Sequence, residues 1–376
     1  MQIWKSYPLA EEKVRVIKVL NVIDSLGAGG AESLLKNFSI CAKRNRDFQV
    51  DLCMLYSKNI FKDELDLSGL NVYELGFRFK YDFCKITRIV RLISSNNYDV
   101  VHAHLFPADL VCAIASVFVN KRIRFIFSEH SIYNRRRSVR IYRPVDRFVY
   151  SRYTRVICVS DVVKRKLNEY IPETAEKSVV IKNAVPIKLV NESREKKYDI
   201  LFVGRLEYVK GADILINAVK IYRDRKHRLL KVAIVGDGSK KKALLRMARE
   251  SGLENDVIFL GVREDVAQLM WQSRVFVLPS RWEGLPIAIL EAMANKTPVI
   301  TAPVGGTIEL IENYRTGLFF EPENAESLSE MIDLLLSDTN LQAKIKENAF
   351  RKVLDEYSIE AYTEKMLDLY KETASK

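Results

Sequence analysis

LPSRWEGLPIAILEAMANKTPVITAPVGGTIE, residues 278–309, switches between apolar and turn-forming sequence several times within a short span. Val275 to Leu278 read as the end of a buried strand. Pro279 to Gly284 cannot easily continue it, so the chain turns out into a loop. Pro286 suits the first turn of a helix, where its missing N–H is not needed. Ile287, Leu290 and Ala294 give that helix a packed face. Glu283 then falls just before the helix start, and Glu291 about two turns along it. The unpaired N–H groups from Gly284 to Ile287 face the place where an anion or a hydroxyl-rich ligand would bind. Thr297-Pro298-Val299-Ile300 starts another strand, and Gly305-Gly306 ends it with a second backbone-exposing turn. In an open α/β sheet, the edge where such features meet at successive strand ends is the ligand edge.

The same device occurs upstream. Asp199–Val203 reads as a strand, followed by Gly204-Arg205-Leu206-Glu207-Tyr208-Val209-Lys210-Gly211 and a helix from Ala212 to Arg223. Arg205 at the strand end and Lys210 at the helix start bracket a helix N-terminus, which suits a diphosphate and its departure as a leaving group. Nearer the N-terminus, Val14–Ile23 reads as a strand. Gly27-Ala28-Gly29-Gly30-Ala31-Glu32 follows, then a helix from Ser33 to Arg44. Glycine there lets the backbone approach a phosphate, although the full dinucleotide fingerprint is lacking. Ile123–Phe127 is a further strand ending at Ser128-Glu129-His130, again at the functional edge. Asp161 is placed to cap a helix from Val162 to Tyr170, and Asp265 one from Val266 to Gln272. Strand and helix alternate through both halves, which predicts an α/β protein with two doubly wound parallel sheets facing one cleft. The polar stretch Val190–Tyr198 reads as the linker.

The motif in residues 278–309, together with the G-R-x4-K-G pattern at 204–211, resembles the retaining, nucleotide-sugar-dependent glycosyltransferases of family 4, which have the GT-B fold of two Rossmann-like domains. The likeness spans about 360 residues and is strongest from 198 to 320. It implies an N-terminal acceptor-binding domain (1–190), a nucleotide-sugar-binding domain (191–356), and a C-terminal helix (357–376) that crosses back onto the first domain near Tyr357. It also implies roles. Gly29 and Gly30 face the donor diphosphate, and Arg205 and Lys210 grip it. The backbone at Val262 meets the nucleobase, and Glu291 holds the ribose hydroxyls. Glu283, with the N–H groups of Gly284 and Leu285, holds the donor sugar. His130, rather than His102 or His104, contacts that sugar. No cofactor or metal is expected, because arginine and lysine do the charge neutralisation.

The chain has 376 residues and is 48% apolar, enough for two ordinary domains. It shows no signal-peptide core and no apolar run of 18 residues. A cytosolic protein, peripheral on the inner face of the cytoplasmic membrane, is expected. Its five cysteines, Cys41, Cys53, Cys84, Cys112 and Cys158, form no metal-binding or disulfide pattern. The net charge of +12 is lopsided. Residues 1–190 hold 32 Lys+Arg against 19 Asp+Glu, and residues 191–376 hold 28 against 29. Arg136, Arg140, Arg143 and Arg147 lie at helical spacing among aromatic residues, which predicts a basic stripe. Such a face suits an anionic membrane surface and a lipid-linked saccharide acceptor. No nucleic-acid motif accompanies it. A nucleotide-sugar epimerase on the same fold stays open as an alternative. So does a NAD-dependent oxidoreductase, with Asp51 about 20 residues past the glycine loop as the acid such a site needs. A basic interaction protein with a vestigial site is the third alternative.

Overall fold

Ile17–Ile23 (β1) is apolar at every position but Lys18 and Asn21, as a strand buried on both faces must be. The computed structural model describes residues 15–27, 29–79, 82, 85–132, 139–187 and 195–375; of Arg140 only the backbone is described. Around β1 stand Phe48–Met54 (β2), Val72–Glu74 (β3), Val100–His104 (β4), Arg124–Glu129 (β5), Arg155–Cys158 (β6) and Ser178–Val180 (β7). They form one parallel sheet in the order β3-β2-β1-β4-β5-β6-β7. A second parallel sheet holds Tyr198–Val203 (β8), Val232–Val235 (β9), Val257–Gly261 (β10), Ser273–Leu278 (β11), Val299–Thr301 (β12) and Leu318–Phe319 (β13). Its order is β10-β9-β8-β11-β12-β13. The strand order of each sheet reverses once, between β1 and β4 and between β8 and β11. Those switch points open crevices at the C-terminal strand ends, where ligands of such sheets bind.

Chain ends and crossovers join the halves. The final helix, Ile359–Ala374, packs on the helix Gly30–Ala42 of the first half, with Phe38 edge-on to Tyr362 at 5.8 Å. Tyr370 reaches the first sheet, where its hydroxyl donates to Asn21 Oδ1 at 3.2 Å and meets His102 Nδ1 at 2.7 Å. The two crossing segments run side by side. Val185 N–H donates to the Tyr357 carbonyl at 3.0 Å, and Ile359 N–H donates to Val185 at 3.1 Å. The boundary expected at 190/191 lies in residues 188–194, outside the described residues.

Some local expectations need correction. The central helix is Ile287–Ala294, with Pro286 as its N-cap, so Glu291 lies one turn into it rather than two. Ser160, not Asp161, caps the helix Asp161–Tyr170, its hydroxyl accepting from Val163 N–H at 3.2 Å. Asp265 precedes the helix Val266–Trp271, but its carboxylate pairs with Arg263 at 2.8 and 2.7 Å instead of capping. The basic stripe also changes form. Arg135 to Arg137 lie outside the described residues, and the helix is Arg143–Ser151, behind a short 3-10 turn at Arg140–Tyr142. Arg147 pairs with Glu173 at 2.9 Å, and Arg143 lies over the Tyr170 ring at 5.9 Å. Cys41, Cys53, Cys112 and Cys158 are free thiols.

Candidate active site

Two loops of the second half leave neighbouring strands and lock together. The loop after β8 ends in the 3-10 turn Tyr208–Lys210 and then Gly211, whose φ is +69°. A Cβ on Gly211 would lie 2.0 Å from the carbonyl oxygen of Pro279, in the loop after β11. Only glycine combines that left-handed turn with that approach. Arg281 is the strut between the loops. Its guanidinium donates to both carboxylate oxygens of Asp213, at 3.0 and 2.8 Å, and to the Tyr208 carbonyl at 2.6 Å. It also stacks 3.8 Å above the Tyr208 ring.

This clamp brings Lys210 and Glu283 together. Lys210 Nζ donates to Glu283 Oε1 at 2.5 Å, and Ser280 Oγ donates to the same oxygen at 2.6 Å. Glu283 is buried and Lys210 half-buried. The Arg205 guanidinium, at the end of β8, is exposed. In the Gly305-Gly306 turn, read from sequence as backbone-exposing, the Gly306 N–H donates to the Glu283 carbonyl at 3.2 Å. The Gly305-Gly306 turn thus holds the Glu283 loop. Glu291, further along the central helix, keeps part of its surface open but is ringed by protein. Burial pushes its carboxyl up to about 7, against the pull of the Lys36 ammonium across the cleft. Val262 follows β10 at the sheet edge, with its side chain exposed.

The facing wall comes from the first half. Gly29 caps the helix Gly30–Ala42 with no side-chain bond. Gly30 abuts the central helix, since a Cβ there would come within 3.0 Å of Ile287 Cβ. Gly284 fits closely against the first half, because a Cβ on it would lie 2.1 Å from the carbonyl oxygen of His130. Leu285 is buried beside it, and its carbonyl accepts from Asn183 Nδ2 at 2.8 Å. The three histidines differ in surroundings. His102 and His104 are buried in the sheet. His102 is bonded between the Tyr370 and Ser128 hydroxyls, and His104 to Asn21. His130, past the end of β5, has its Nε2 buried with no hydrogen bond among the described residues. Burial holds His102 at about 3, His130 at about 4 and His104 well below its ordinary range. All three are neutral near pH 7.

Glu32 was not singled out from sequence. Its carboxylate folds back over the glycine loop, so that a Cβ on Gly29 would strike Glu32 Oε2 at 2.2 Å. Burial pushes it up to about 7. A bond from its own N–H pulls it down, nearby Asp24 pushes it up, and Arg205 across the cleft and Lys58 pull it down. The signal was an acid two residues past a glycine pair at a helix start. Arg281 left no such signal, since its partners Tyr208 and Asp213 are distant in sequence. Asp51 is buried, and accepts from Tyr98 at 2.7 Å and from Asn71 and Gln49 at 3.0 Å. It is not available to a nucleotide ribose. Among the described residues, no group of His, Cys, Asp or Glu is arranged to hold a metal ion. None of their helices is long and apolar enough to cross a membrane.

Two family models divide the chain between them, Glycosyltransferase Family 4 over residues 28–189 and Glycosyl transferases group 1 over residues 187–352. An uncharacterised glycosyltransferase of Methanocaldococcus jannaschii is 30% identical over 304 residues, covering 74% of this chain and 77% of its own. An Escherichia coli UDP-Gal:alpha-D-GlcNAc-diphosphoundecaprenol alpha-1,3-galactosyltransferase is 26% identical over 311 residues, covering 77% of this chain and 79% of its own. Among solved structures, Anabaena HepE in complex with UDP-glucose matches with a TM-score of 0.81 at 24% identity, over 95% of this chain and 100% of its own.

Proposed function

From the membership of this chain in the family 4 glycosyltransferases, with a group 1 domain as its second half, we propose that it moves a sugar from a nucleoside diphosphate to the hydroxyl of a lipid-linked saccharide, with retention of anomeric configuration. One observation carries the donor reading. Exposed Arg205 and the Lys210–Glu283 pair sit at the β8/β11 switch point, opposite the Gly29-Gly30 helix start. Two cations and a helix N-terminus around one crevice match a diphosphate. Arg205 and Lys210 neutralise the charge that develops as the sugar–phosphate bond breaks, so the reading requires no metal or other cofactor. Glu283 shares its Lys210 bond with the donor sugar's hydroxyls, assisted by the Gly284 and Leu285 N–H groups. Neutral His130 contacts the same sugar. Glu291 accepts the ribose hydroxyls, and the Val262 backbone borders the base. The acceptor oxygen attacks from the face that the phosphate leaves, and the departing phosphate takes the acceptor's proton.

The acceptor reading has two supports. The E. coli relative acts on a diphosphoundecaprenol-linked sugar. The first half of this chain also carries the whole positive excess, which suits an anionic acceptor at the inner face of the cytoplasmic membrane. A thermal-shift screen against nucleotide sugars, with NAD included, tests the donor half. One UDP- or GDP-sugar is expected to raise Tm by mass action. That rise is expected to vanish in Arg205→Ala and Glu291→Ala. A rise with NAD alone would overturn the reading. Proton NMR of the first product reports the anomer, and an inverted product would remove the claim of retention.

A further inference from the structure

Outside the cleft, the least explained surface is on the helix Arg143–Ser151 and the turn before it. Its inward side is conventional, with Asp146, Val149 and Tyr150 buried. Its outward side is not. Ile141 is 78% exposed, Val145 43% and Phe148 38%. Val145 and Phe148, three residues apart, share one face of the helix, with Ile141 four residues before them in the 3-10 turn and Arg152 four residues after them at the C-cap. Val139 and Tyr142, each 45% exposed, widen it. The arginines border this face rather than form it. Arg152 lies over the Phe148 ring at 5.0 Å, while Arg147 and Arg143 turn aside to Glu173 and the Tyr170 ring.

Scattered exposed apolar residues are ordinary, but a contiguous apolar face rimmed by cations marks an interaction site. Charge decides the occupant. Residues 121–155 hold eleven Lys+Arg against two acids, Glu129 and Asp146. A convex helix with a shallow apolar stripe, an aromatic residue and arginines along its edge has the make-up of an interfacial helix. We propose that Ile141, Val145 and Phe148 seat this helix in the headgroup layer of an anionic lipid bilayer. The helix belongs to the first half, the half read as binding the acceptor, so docking there holds that half at the membrane. The inference deepens the lipid-linked acceptor reading and rests on it for that purpose alone; the binding itself does not require it.

The test uses the full chain with sedimenting vesicles of phosphatidylglycerol and phosphatidylcholine, or of phosphatidylcholine alone. Binding is expected to the anionic vesicles only, and to weaken as salt rises. Ile141→Asp combined with Phe148→Asp is expected to reduce it at least about tenfold, with Tm in water unchanged. In a separate Phe148→Trp variant, the added emission is expected to shift to the blue on anionic vesicles. Equal binding by the aspartate variant, or no binding by the unaltered chain, would overturn the proposal. A concentration-dependent dimer in sedimentation velocity, abolished by the same variant, would instead assign the stripe to a second copy. Failure of the donor reading would show separately, as a missing nucleotide-sugar thermal shift in a chain whose vesicle binding is intact.

Discussion

Glu32 is where a single side chain has most to say about donor binding. Its carboxyl stands at about 7, raised chiefly by burial, and Arg205 is among the charges that oppose the shift. A diphosphate drawn to Arg205 brings negative charge toward this carboxylate and favours its protonated form. If the donor binds as proposed, binding takes up a proton wherever Glu32 is ionised beforehand. Affinity should therefore rise as pH falls from about 8 to about 6, the window around the value of Glu32. Glu291 is also held at about 7, so it adds to this dependence or opposes it according to whether the ribose prefers it neutral or charged. Titration calorimetry of the nucleoside diphosphate in two buffers of different ionisation enthalpy separates the terms. Glu32→Gln should abolish its share of the proton uptake and bind more tightly than the unaltered chain at pH 8. Unchanged proton uptake in that variant would remove Glu32 from the linkage. The stability of the ligand-free fold should depend on pH in the same direction. A raised carboxyl stabilises the fold most below its unfolded value near 4.5, and that contribution is lost as pH rises through about 7. Glu32→Gln should thus raise the Tm of the ligand-free protein at pH 8 and leave it nearly unchanged at pH 5.

At the scale of elements, the site depends on two loops behaving as one body. Arg281 joins them by a two-pronged bond to Asp213, a bond to the Tyr208 carbonyl and stacking on the Tyr208 ring. A lysine supplies the charge but not the planar fork. Arg281→Lys is therefore expected to weaken donor binding nearly as much as Arg281→Ala, on the order of tenfold, with a stability loss of about 1–3 kcal/mol in each. Calorimetry with the nucleoside diphosphate and denaturant melts would check both, and a lysine variant equal to the unaltered chain would show that charge alone suffices. The strands that launch these loops were legible in sequence, because Ile200–Val203 and Val275–Leu278 are apolar runs closed by glycine or proline. The Lys210–Glu283 contact was not legible. It spans 73 positions and depends on β8 and β11 lying side by side. The outward stripe of the helix Arg143–Ser151 escaped for a related reason. Ile141, Val145 and Phe148 have the same periodicity as a core face, and only the burial of Asp146, Val149 and Tyr150 shows which side is inward. The arginines at the same spacing pointed to a basic face, yet they border an apolar one.

At the scale of the whole molecule, the cleft is drawn together by backbone rather than by large side chains. Gly284 of the second half lies against the His130 carbonyl of the first, and Asn183 reaches across to Leu285. Glu309 accepts from Val162 N–H at 3.4 Å and pairs with Lys182 at 3.5 Å. Behind these contacts, the paired crossings at Val185 and Tyr357–Ile359 form a narrow joint. A methyl group on Gly284 would stand 2.1 Å from the His130 oxygen. The nearest atoms are backbone atoms of His130, so relief of the conflict requires the Gly284 loop and the His130 segment to move apart. Each half keeps its own sheet and core, so Gly284→Ala should lower Tm by no more than a few degrees. The reacting groups, however, come from both walls, and a displacement of about 1 Å can cost about a hundredfold in rate. Turnover in Gly284→Ala is therefore expected to fall by about that factor, while binding of the nucleoside diphosphate, which is held mainly by the second half, changes little. Small-angle scattering should show a larger radius of gyration for the variant than for the unaltered chain. A variant that turns over normally and scatters identically would show that this close approach is incidental and that the halves work at a wider separation.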